Sequence, residues 1–536
     1  MFKTNLLYNK DVFFRNIFIT ILFFICIKSS AYTFDLSVID FPTSGKPEAQ
    51  EHFIKGVWLL HNFDYNRAEE AFRAAQDIDP DFVMAYWGEA MTYNYPLWFR
   101  QDKDEALIAL SFIDTDARKR VKKATTPLEK DLIRAANILF GDLKKNLRDV
   151  TYANFMSVLY KKYPGNHEIA CFYALSLMGT SHGRRNTDTY LKAGEILSEI
   201  LEENPHHPGA LLYTIYAYDE PGYSHLALEA AETYAEIAPE SSHALHMPSH
   251  IYVAFGMWDK MIISNEKSWQ AREEIFQTEG LKHEDRAYHS LLWLAYGYLQ
   301  QGRFDKAREQ LEIIWEDAEN HTSYRARMHF TAMRAAYLIH TRDWDDPVAA
   351  CKLNVSSLEP VHLATAYYIE GLVAIKQGEY DLAERLIKKL KNKRKKTRIL
   401  DAVEDITLIS PEYAKKVEES LTVLIFEKEL TAHLMMEKGA YKSAEPLIKE
   451  AIALEDKLPF SFGPPVVVKP PHELYGDFLL LNNRPSEALE EYEKVFERSP
   501  RRTLAIQGVL EAAAKVNNRE KIEEANRALQ AITMFE

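Results

Sequence analysis

Cysteine is scarce in this sequence, with three in 536 residues. Cys26 lies close to the N-terminus, and beyond it only Cys171 and Cys351 remain, far apart in the chain. Two cysteines cannot build the dense disulfide framework that holds small secreted domains together. The fold must therefore be stabilised by buried apolar side chains, and we expect both remaining cysteines to be buried among them.

Long apolar runs and familiar catalytic motifs are also lacking. After residue 31 no segment stays apolar for the roughly 20 residues that a transmembrane helix needs, so no stable membrane span is expected. The sequence has no phosphate-binding loop, no G-x-S-x-G elbow, no H-E-x-x-H pair and no dinucleotide-binding glycine fingerprint. The formal net charge of −14 argues against a general nucleic-acid binder, which needs cationic patches. The basic run at 388–398 is better explained as a solvated helix end.

The first 31 residues have the composition of an export signal. Basic residues precede an apolar run at 17–27, and Ser29 and Ala31 form the small-x-small pattern that a signal peptidase accepts. The run is about 11 residues long, too short to span a bilayer as a stable helix. We therefore predict cleavage after Ala31 and export to a periplasm or a secretory route. An uncleaved anchor is the alternative.

A pattern of glycine, alanine, aromatic residue and proline recurs with a period of about 34 residues. Its clearest copies are Gly56, Ala68, Phe72 and Pro80 near one end and Gly476, Ala488, Tyr492 and Pro500 near the other. Small residues let two helices approach closely, and the proline ends the second helix of each unit. Gly302, Gly378 and Gly439 fall at the turn between helices, where φ > 0 is often needed. The pattern predicts about ten or eleven helix pairs and no clear strand.

These residues resemble the tetratricopeptide repeat (TPR) family. The resemblance implies an all-α fold, an α-solenoid whose TPR-like helix pairs wind into a right-handed superhelix with a concave groove. We divide the chain into a signal peptide at 1–31, an N-terminal extension at 32–48, and repeats at 49–240, 241–345 and 346–536.

A histidine stripe in the central repeats is the main candidate site. His243, His246 and His250 are spaced by three and four residues, which places them on one helix face. The resemblance to TPR proteins implies that this face points into the groove. Imidazoles suit a divalent transition metal, but a straight helix sets the outer pair about 10 Å apart. We therefore expect two of these histidines to act with ligands from adjacent repeats, and His289 and Asp219 are the candidates.

A closer resemblance extends from about residue 41 to the C-terminus. It is to a long family of uncharacterised bacterial TPR proteins, and it rests on FPTSG at 41–45, AYWGEAMTYN at 85–94, the histidine segment at 243–250, GPP at 463–465 and KPPHEL at 469–474. Relatives commonly have histidine where this chain has Leu212 and Tyr216, and aspartate where it has Leu292. The resemblance thus implies a cluster of His and Asp across repeats. Its three replaced positions imply an altered or inactive site, so we expect binding rather than catalysis.

Secondary candidates lie near the two ends of the chain. Glu89 and Asn94 belong to the early repeats, and a buried carboxylate needs a partner, so Glu89 is either paired for structure or part of a site. His472 and Glu473 follow a stiff proline-rich loop at a predicted helix start. Such a loop can cap a groove, although helix initiation alone also explains it.

Two functions fit the sequence. The first is an exported scaffold that binds a protein, a peptide or a small ligand in its concave groove. The second is a metal-binding protein, with metal-dependent catalysis as an extension, built on His243, His246, His250 and His289. The second requires imidazole nitrogens that converge on one point, and the first requires only an accessible groove.

Overall fold

Helices follow one another along almost all of the chain that the computed structural model describes. The described residues are 35–182, 185–220, 222–237, 241–321, 323–396, 411–460 and 463–533. The predicted signal peptide lies outside them. Leu36–Glu536 is one compact unit, and no described helix is long and apolar enough to cross a membrane. The prediction of an all-α solenoid is confirmed, whereas the repeat boundaries after 240 and 345 stay predictions.

The helices range in length from 4 residues at Pro347–Ala350 to 27 residues at Pro411–Glu437. The N-terminal helices are α1 (Pro47–His61), α2 (Tyr65–Ile78), α3 (Val83–Thr92), α4 (Lys103–Ile113), α5 (Ala117–Lys123), α6 (Pro127–Leu139), α7 (Lys145–Lys162), α8 (His167–Gly179), α9 (Thr187–Glu203), α10 (Pro208–Ala217) and α11 (Leu228–Ile237). The central helices are α12 (Ser242–His246), α13 (Pro248–Phe255), α14 (Trp258–Glu279), α15 (Tyr288–Gln300), α16 (Phe304–Asn320), α17 (Tyr324–Thr341) and α18 (Pro347–Ala350). The C-terminal helices are α19 (Pro360–Lys376), α20 (Tyr380–Lys396), α21 (Pro411–Glu437), α22 (Tyr441–Glu455), α23 (Pro471–Leu481), α24 (Pro485–Arg498), α25 (Thr503–Lys515) and α26 (Arg519–Thr533).

The glycines of the repeat pattern lie where helices cross closely. A Cβ atom at Gly56 would come within 2.6 Å of the Phe72 ring, and one at Gly476 within 2.7 Å of the Tyr492 ring. The aromatic residue of each unit therefore packs directly on the backbone of the preceding helix. The turn glycines also behave as predicted, with φ of 71° at Gly302 and 78° at Gly378.

Two expectations hold except in detail. No clear strand was expected, and the described residues are almost entirely helical apart from Asn94–Tyr95 and Arg100–Gln101, which form a short antiparallel pair around a 3-10 turn at Pro96–Trp98. A strand of two residues is too short to produce a period in the sequence, so periodicity could not detect it. Both cysteines were expected to be buried, and Cys171 is buried, but Cys351 is only half-buried just after α18.

The helices pack mainly on their neighbours in the chain, and two of the longer-range contacts show how distant repeats are tied together. In the N-terminal half, α1 contacts α10. In the C-terminal half, Thr503 at the start of α25 donates from its amide to Gln300 Oε1 at 2.8 Å and from its hydroxyl to Gln300 O at 2.6 Å. Later segments of the chain therefore lie against α15, the helix that carries His289.

Candidate functional site

The histidine stripe lies at a break between two helices. His246 is the last residue of α12, and His250 lies in the first turn of α13. The two helices are separated at Met247 because Pro248 has no amide hydrogen to continue the helical bonding. His289 lies in the first turn of α15, in the next repeat. The spacing of the histidines had placed the stripe on one helix face, and Pro248 accounts for the break within it.

The structure brings three of the predicted residues together. Ring nitrogens of His246, His250 and His289 lie within 4.8 Å of one another. The Nε2 atoms of His246 and His250 are 3.2 Å apart. Two nitrogens on a tetrahedral zinc ion, each about 2.05 Å from the metal, are separated by about 3.3 Å. The distance between these two nitrogens therefore already matches that between two ligands of a tetrahedral zinc ion.

The hydrogen bond of His246 to α14 fixes the tautomer of its ring. Its Nδ1 lies 2.7 Å from Asn265 Oδ1. The amide group of Asn265 cannot be turned around, because its Nδ2 donates to the carbonyl oxygen of Met261 and to Ser249 Oγ, each at 2.7 Å. Nδ1 of His246 must therefore be the donor, which leaves the lone pair on Nε2.

The neighbouring His250 is oriented in the same way by a carboxylate. Its Nδ1 donates to Asp219 Oδ2 at 2.9 Å, so the lone pair of the neutral ring is again on Nε2. The other oxygen, Asp219 Oδ1, is buried and has no hydrogen-bond partner among the described residues. A carboxylate that holds the far nitrogen of a histidine is the usual outer-shell partner of a metal ligand.

The electrostatics of the site favour neutral imidazoles. Burial, followed by the nearby rings of His289 and His250, holds the pKa of His246 well below its usual range. Desolvation of its ring by the surrounding protein, followed by His250 and other nearby histidines, also lowers the pKa of His289, although part of that side chain is exposed to solvent. At neutral pH these rings have free lone pairs, and neutral imidazole is the form that binds a metal.

An aromatic wall and an open side complete the surroundings. The Trp293 ring lies 4.6 Å from the His250 ring and 5.0 Å from the His246 ring, measured between centroids. On its other side Trp293 meets the backbone of Gly463, where a Cβ atom would come within 2.3 Å. His289 itself is exposed to solvent. The site is therefore held firmly on one side and accessible on the other.

The fourth histidine of the prediction lies apart from this group. His243 Nε2 lies 3.2 Å from the hydroxyl of Tyr216, and its ring lies near the Phe63 and Trp98 rings at 6.1 and 5.9 Å. It precedes the helix break, one turn before His246. Burial, with a further contribution from His250, lowers its pKa to about 4.

Both N-terminal secondary candidates are engaged in local hydrogen bonds. Glu89 accepts from Arg73 Nε at 2.9 Å and from Gln76 Nε2 at 2.6 Å, which uses both carboxylate oxygens. Asn94 Oδ1 accepts from Gln101 Nε2 at 3.0 Å across the short strand pair. These partners connect neighbouring elements of the fold.

The C-terminal candidates lie in ion pairs at the start of α23. His472 Nδ1 donates to Glu491 Oε2 at 2.6 Å. Glu473 is buried and contacts Lys469 Nζ at 3.0 Å and Arg502 Nε at 2.6 Å. Although burial alone would raise the pKa of Glu473, these two cations hold it well below its usual range. The carboxylate is ionised and committed to these partners.

A second cluster that the sequence did not indicate joins three repeats in the N-terminal half. The Glu168 carboxylate accepts from His61 Nε2 at 2.7 Å and from His207 Nε2 at 3.0 Å, and all three side chains are completely buried. The Tyr213 hydroxyl lies 3.0 Å from His61 Nδ1. Although burial alone would raise it, the two imidazoles hold the pKa of Glu168 at about 2. No spacing in the sequence relates residues so far apart.

A third cluster contains His283, Asp317 and His321, again within 4.8 Å. The two histidine rings are stacked with centroids 3.6 Å apart, which is a packing contact and not a coordination geometry. The Asp317 carboxylate also accepts from Arg286 and from the Tyr288 hydroxyl. With its oxygens already used, this cluster is a weaker metal site than the one at His246.

A tetratricopeptide repeat family model matches residues 288–312, which contain α15 and the first half of α16. No curated protein matches the chain significantly. Among solved structures, yeast Tom70 is similar at 13% identity over 88% of this chain and 96% of that one, with a TM-score of 0.29. The human IFIT1 dimer with PPP-AAAA is similar at 13% identity over 84% and 90%, with a TM-score of 0.29. The TPR domain of P58(IPK) is similar at 13% identity over 88% and 99%, with a TM-score of 0.22.

Similarities this weak carry over no ligand or partner from those proteins. The matched repeat contains His289 and Trp293, so the candidate site is built on the repeat itself. The same spacing of glycine, alanine and aromatic residue recurs in the helix pairs at both ends of the chain. The chain is therefore an α-solenoid built of helix pairs, with a tetratricopeptide repeat matched at 288–312.

Proposed function

We propose that this solenoid binds one divalent transition metal through His246 Nε2, His250 Nε2 and a ring nitrogen of His289. The observation that carries the proposal is the 3.2 Å approach of the two Nε2 atoms, both of which hold lone pairs in the neutral tautomers. Two lone pairs at this distance repel each other unless a proton or a metal ion lies between them. A metal ion would turn this repulsion into coordination.

The surroundings support a metal in two further ways. Asn265 and Asp219 orient the rings from behind, as outer-shell partners of metal ligands do. Three nitrogen donors fit zinc, copper or nickel, and zinc sites with three protein ligands keep a fourth position for water or another ligand. The exposed side of His289 leaves room for that position. The expected site is thus an open one.

We further propose that the concave groove binds a protein, a peptide or a small ligand. Tetratricopeptide solenoids typically act as protein-interaction scaffolds, and their concave faces serve as extended binding surfaces. The matched repeat at 288–312 carries the metal-binding histidine, so a ligand in the groove would lie next to the metal. An anionic or imidazole group on that ligand would then occupy the open coordination position.

Export is the third part of the proposal, and it rests on the signal-like residues 1–31. A secreted or periplasmic protein would begin at Tyr32 after cleavage. Expression of the full chain followed by mass analysis of the exported fraction tests this directly. A product that retains residues 1–31 in the membrane fraction would show an anchor instead.

Metal analysis of the mature chain tests the site. The protein is purified without a histidine tag or chelator, incubated with zinc sulfate, desalted and analysed by mass spectrometry for metals. We expect about one ion per chain, and we expect His246→Ala and His250→Ala to lose it. His243→Ala is the matched control, because this histidine lies on the same stripe but contacts Tyr216.

Two results would contradict the proposal. One is a wild-type chain that retains no zinc, copper or nickel after desalting. The other is a loss of metal in the His243→Ala control as large as in the two site variants. Circular dichroism of each variant shows that the helices are intact before its metal content is compared.

A further inference from the structure

A cavity of about 120 Å³ lies farther along α15, beyond the candidate metal site. Its walls come from α15, α17 and α19, and residues 464–466 and Val468 of the proline-rich loop line it as well. Leu292, Ala332, Ala336 and Val468 make most of this surface apolar. In another protein an apolar cavity of about 150 Å³ binds benzene, so this one has room for about five carbon atoms.

One part of the cavity wall carries a buried cation. Arg502 lines the cavity and is 1% exposed. Its Nε donates to Glu473 at 2.6 Å, and its Nη2 donates to the Val468 carbonyl at 3.2 Å. Its remaining nitrogen, Nη1, has only long contacts, 3.5 Å to the Tyr296 hydroxyl and 3.4 Å to His340 Nε2. Good hydrogen bonds of this type measure about 2.7–3.2 Å, so Nη1 is the least satisfied donor of the guanidinium.

A second donor lies beside it. Tyr296 also lines the cavity, and within the described part of the chain its hydroxyl takes part only in the long contact from Arg502. Since that oxygen accepts from Arg502, its own proton is free to be donated into the cavity. Two donors, one of them cationic, thus lie at the end of an apolar chamber. A carboxylate accepts two such hydrogen bonds at once.

The charges around Arg502 do not oppose an anion. Lys469 and Arg502 supply two positive charges, and their partners Glu473 and Asp477 supply two negative ones. Burial, followed by Glu455 and opposed in part by Lys469, raises the pKa of the nearby Glu429 well above its usual range. The ion-paired charges beside Arg502 therefore balance before a ligand enters.

We infer that this cavity binds a short-chain carboxylate. Its carboxylate group lies on Arg502 Nη1 and the Tyr296 hydroxyl, and its hydrocarbon chain packs against Leu292 and Ala332. The site is separate from the metal and does not depend on it. It gives the solenoid a small-molecule ligand in addition to the proposed metal.

Binding of hexanoate to the mature chain, followed by calorimetry and ligand-observed NMR, tests this inference. Hexan-1-ol and hexylamine serve as probes of similar size that lack the carboxylate. We expect hexanoate to bind saturably, with a dissociation constant at or below about 1 mM, and the two other probes to bind at least roughly tenfold more weakly.

Two substitutions test the apolar part of the cavity and its polar end separately. Ala332→Leu fills the cavity without touching Arg502 and should abolish hexanoate binding. Tyr296→Phe keeps the ring and removes one donor, so hexanoate should bind roughly tenfold more weakly while the weak binding of hexanol is unchanged. Thermal melts of both variants establish that they are folded.

The inference fails if hexanoate shows no saturable binding, or if hexanol binds the wild-type chain as tightly as hexanoate does. It also fails if Ala332→Leu leaves hexanoate affinity unchanged while the protein is folded. Metal content is measured on the same preparations. A chain that binds zinc but not hexanoate would overturn this inference alone, and the converse would overturn only the metal site.

Discussion

Replacing Asp219 with alanine should weaken metal binding without removing any metal ligand. Asp219 lies just after α10, and its Oδ2 accepts the Nδ1 proton of His250 at 2.9 Å. Without this acceptor the ring is free to rotate or to place its proton on Nε2, the atom that faces His246. Loss of an outer-shell partner typically costs 10- to 100-fold in metal affinity, which corresponds to about 1.4–2.8 kcal/mol.

The assay is a zinc titration in competition with a chromophoric chelator, at fixed pH and ionic strength. Asp219→Asn provides an intermediate case, because its amide oxygen still accepts from His250 but carries no charge. We therefore expect affinities in the order wild type, Asp219→Asn, Asp219→Ala. Asp259→Ala is the matched control, since that carboxylate lies in the first turn of α14 and contacts Gln301 and none of the three histidines.

The reasoning would be refuted by an Asp219→Ala variant that binds zinc within about twofold of wild type. It would also be refuted by an Asp259→Ala variant that loses as much affinity, because the effect would then be one of general charge. Circular dichroism is measured first, and a variant with reduced helicity is left out of the comparison. If Asp219→Ala is left out for this reason, the zinc affinity of Asp219→Asn relative to wild type tests the prediction.

Two further predictions concern stability. The pKa of Glu168 is about 2 in the folded chain and about 4.3 when unfolded, so its pairing stabilises the fold above pH ~4.3 and this contribution, about 3 kcal/mol, is lost as the pH falls toward 2. Urea unfolding should show about half of this loss in the wild type between pH 7 and pH 3. Glu168→Gln should be less stable at pH 7 and should lack that part of the pH dependence. If the free energy of unfolding depends on pH equally in the two proteins, the assignment is contradicted. Gly463→Ala should weaken both stability and zinc binding, because φ is 100° there and the new Cβ would meet the Trp293 ring at 2.3 Å. Gly378→Ala, with φ of 78° and open space around it, should cost only about 1 kcal/mol in urea unfolding and leave zinc binding unchanged.

The helix pairs were predictable because their signals are local. The spacing of Gly56, Ala68 and Phe72 encodes how two consecutive helices pack, and it needs no knowledge of distant parts of the chain. The two-residue strands at Asn94 and Gln101 left no such signal, since they are shorter than any period. Repeat spacing thus predicted the architecture but not its irregular parts.

The candidate site was predictable only in part. The helical spacing of the stripe and its repeat frame singled out His246, His250 and His289, and the structure places these three together. The role of Asn265 could not be predicted, because it lies on the second helix of its unit and its direction depends on how α14 crosses the stripe. His243 shares the helix face but turns to Tyr216, a distinction that a helical wheel does not make.

The contacts between distant repeats change how this solenoid should fold. A simple repeat array is a sum of local units, and it can fray from its ends one unit at a time. Here the Thr503 amide bonds to Gln300, 203 positions earlier, and the Tyr213 hydroxyl bonds to His61, 152 positions earlier. Such links raise the contact order and so slow folding, because long loops must close before the bonds form. They also couple the last helix pair to the helix that carries His289, so that a truncation at the C-terminus should also destabilise the centre of the molecule.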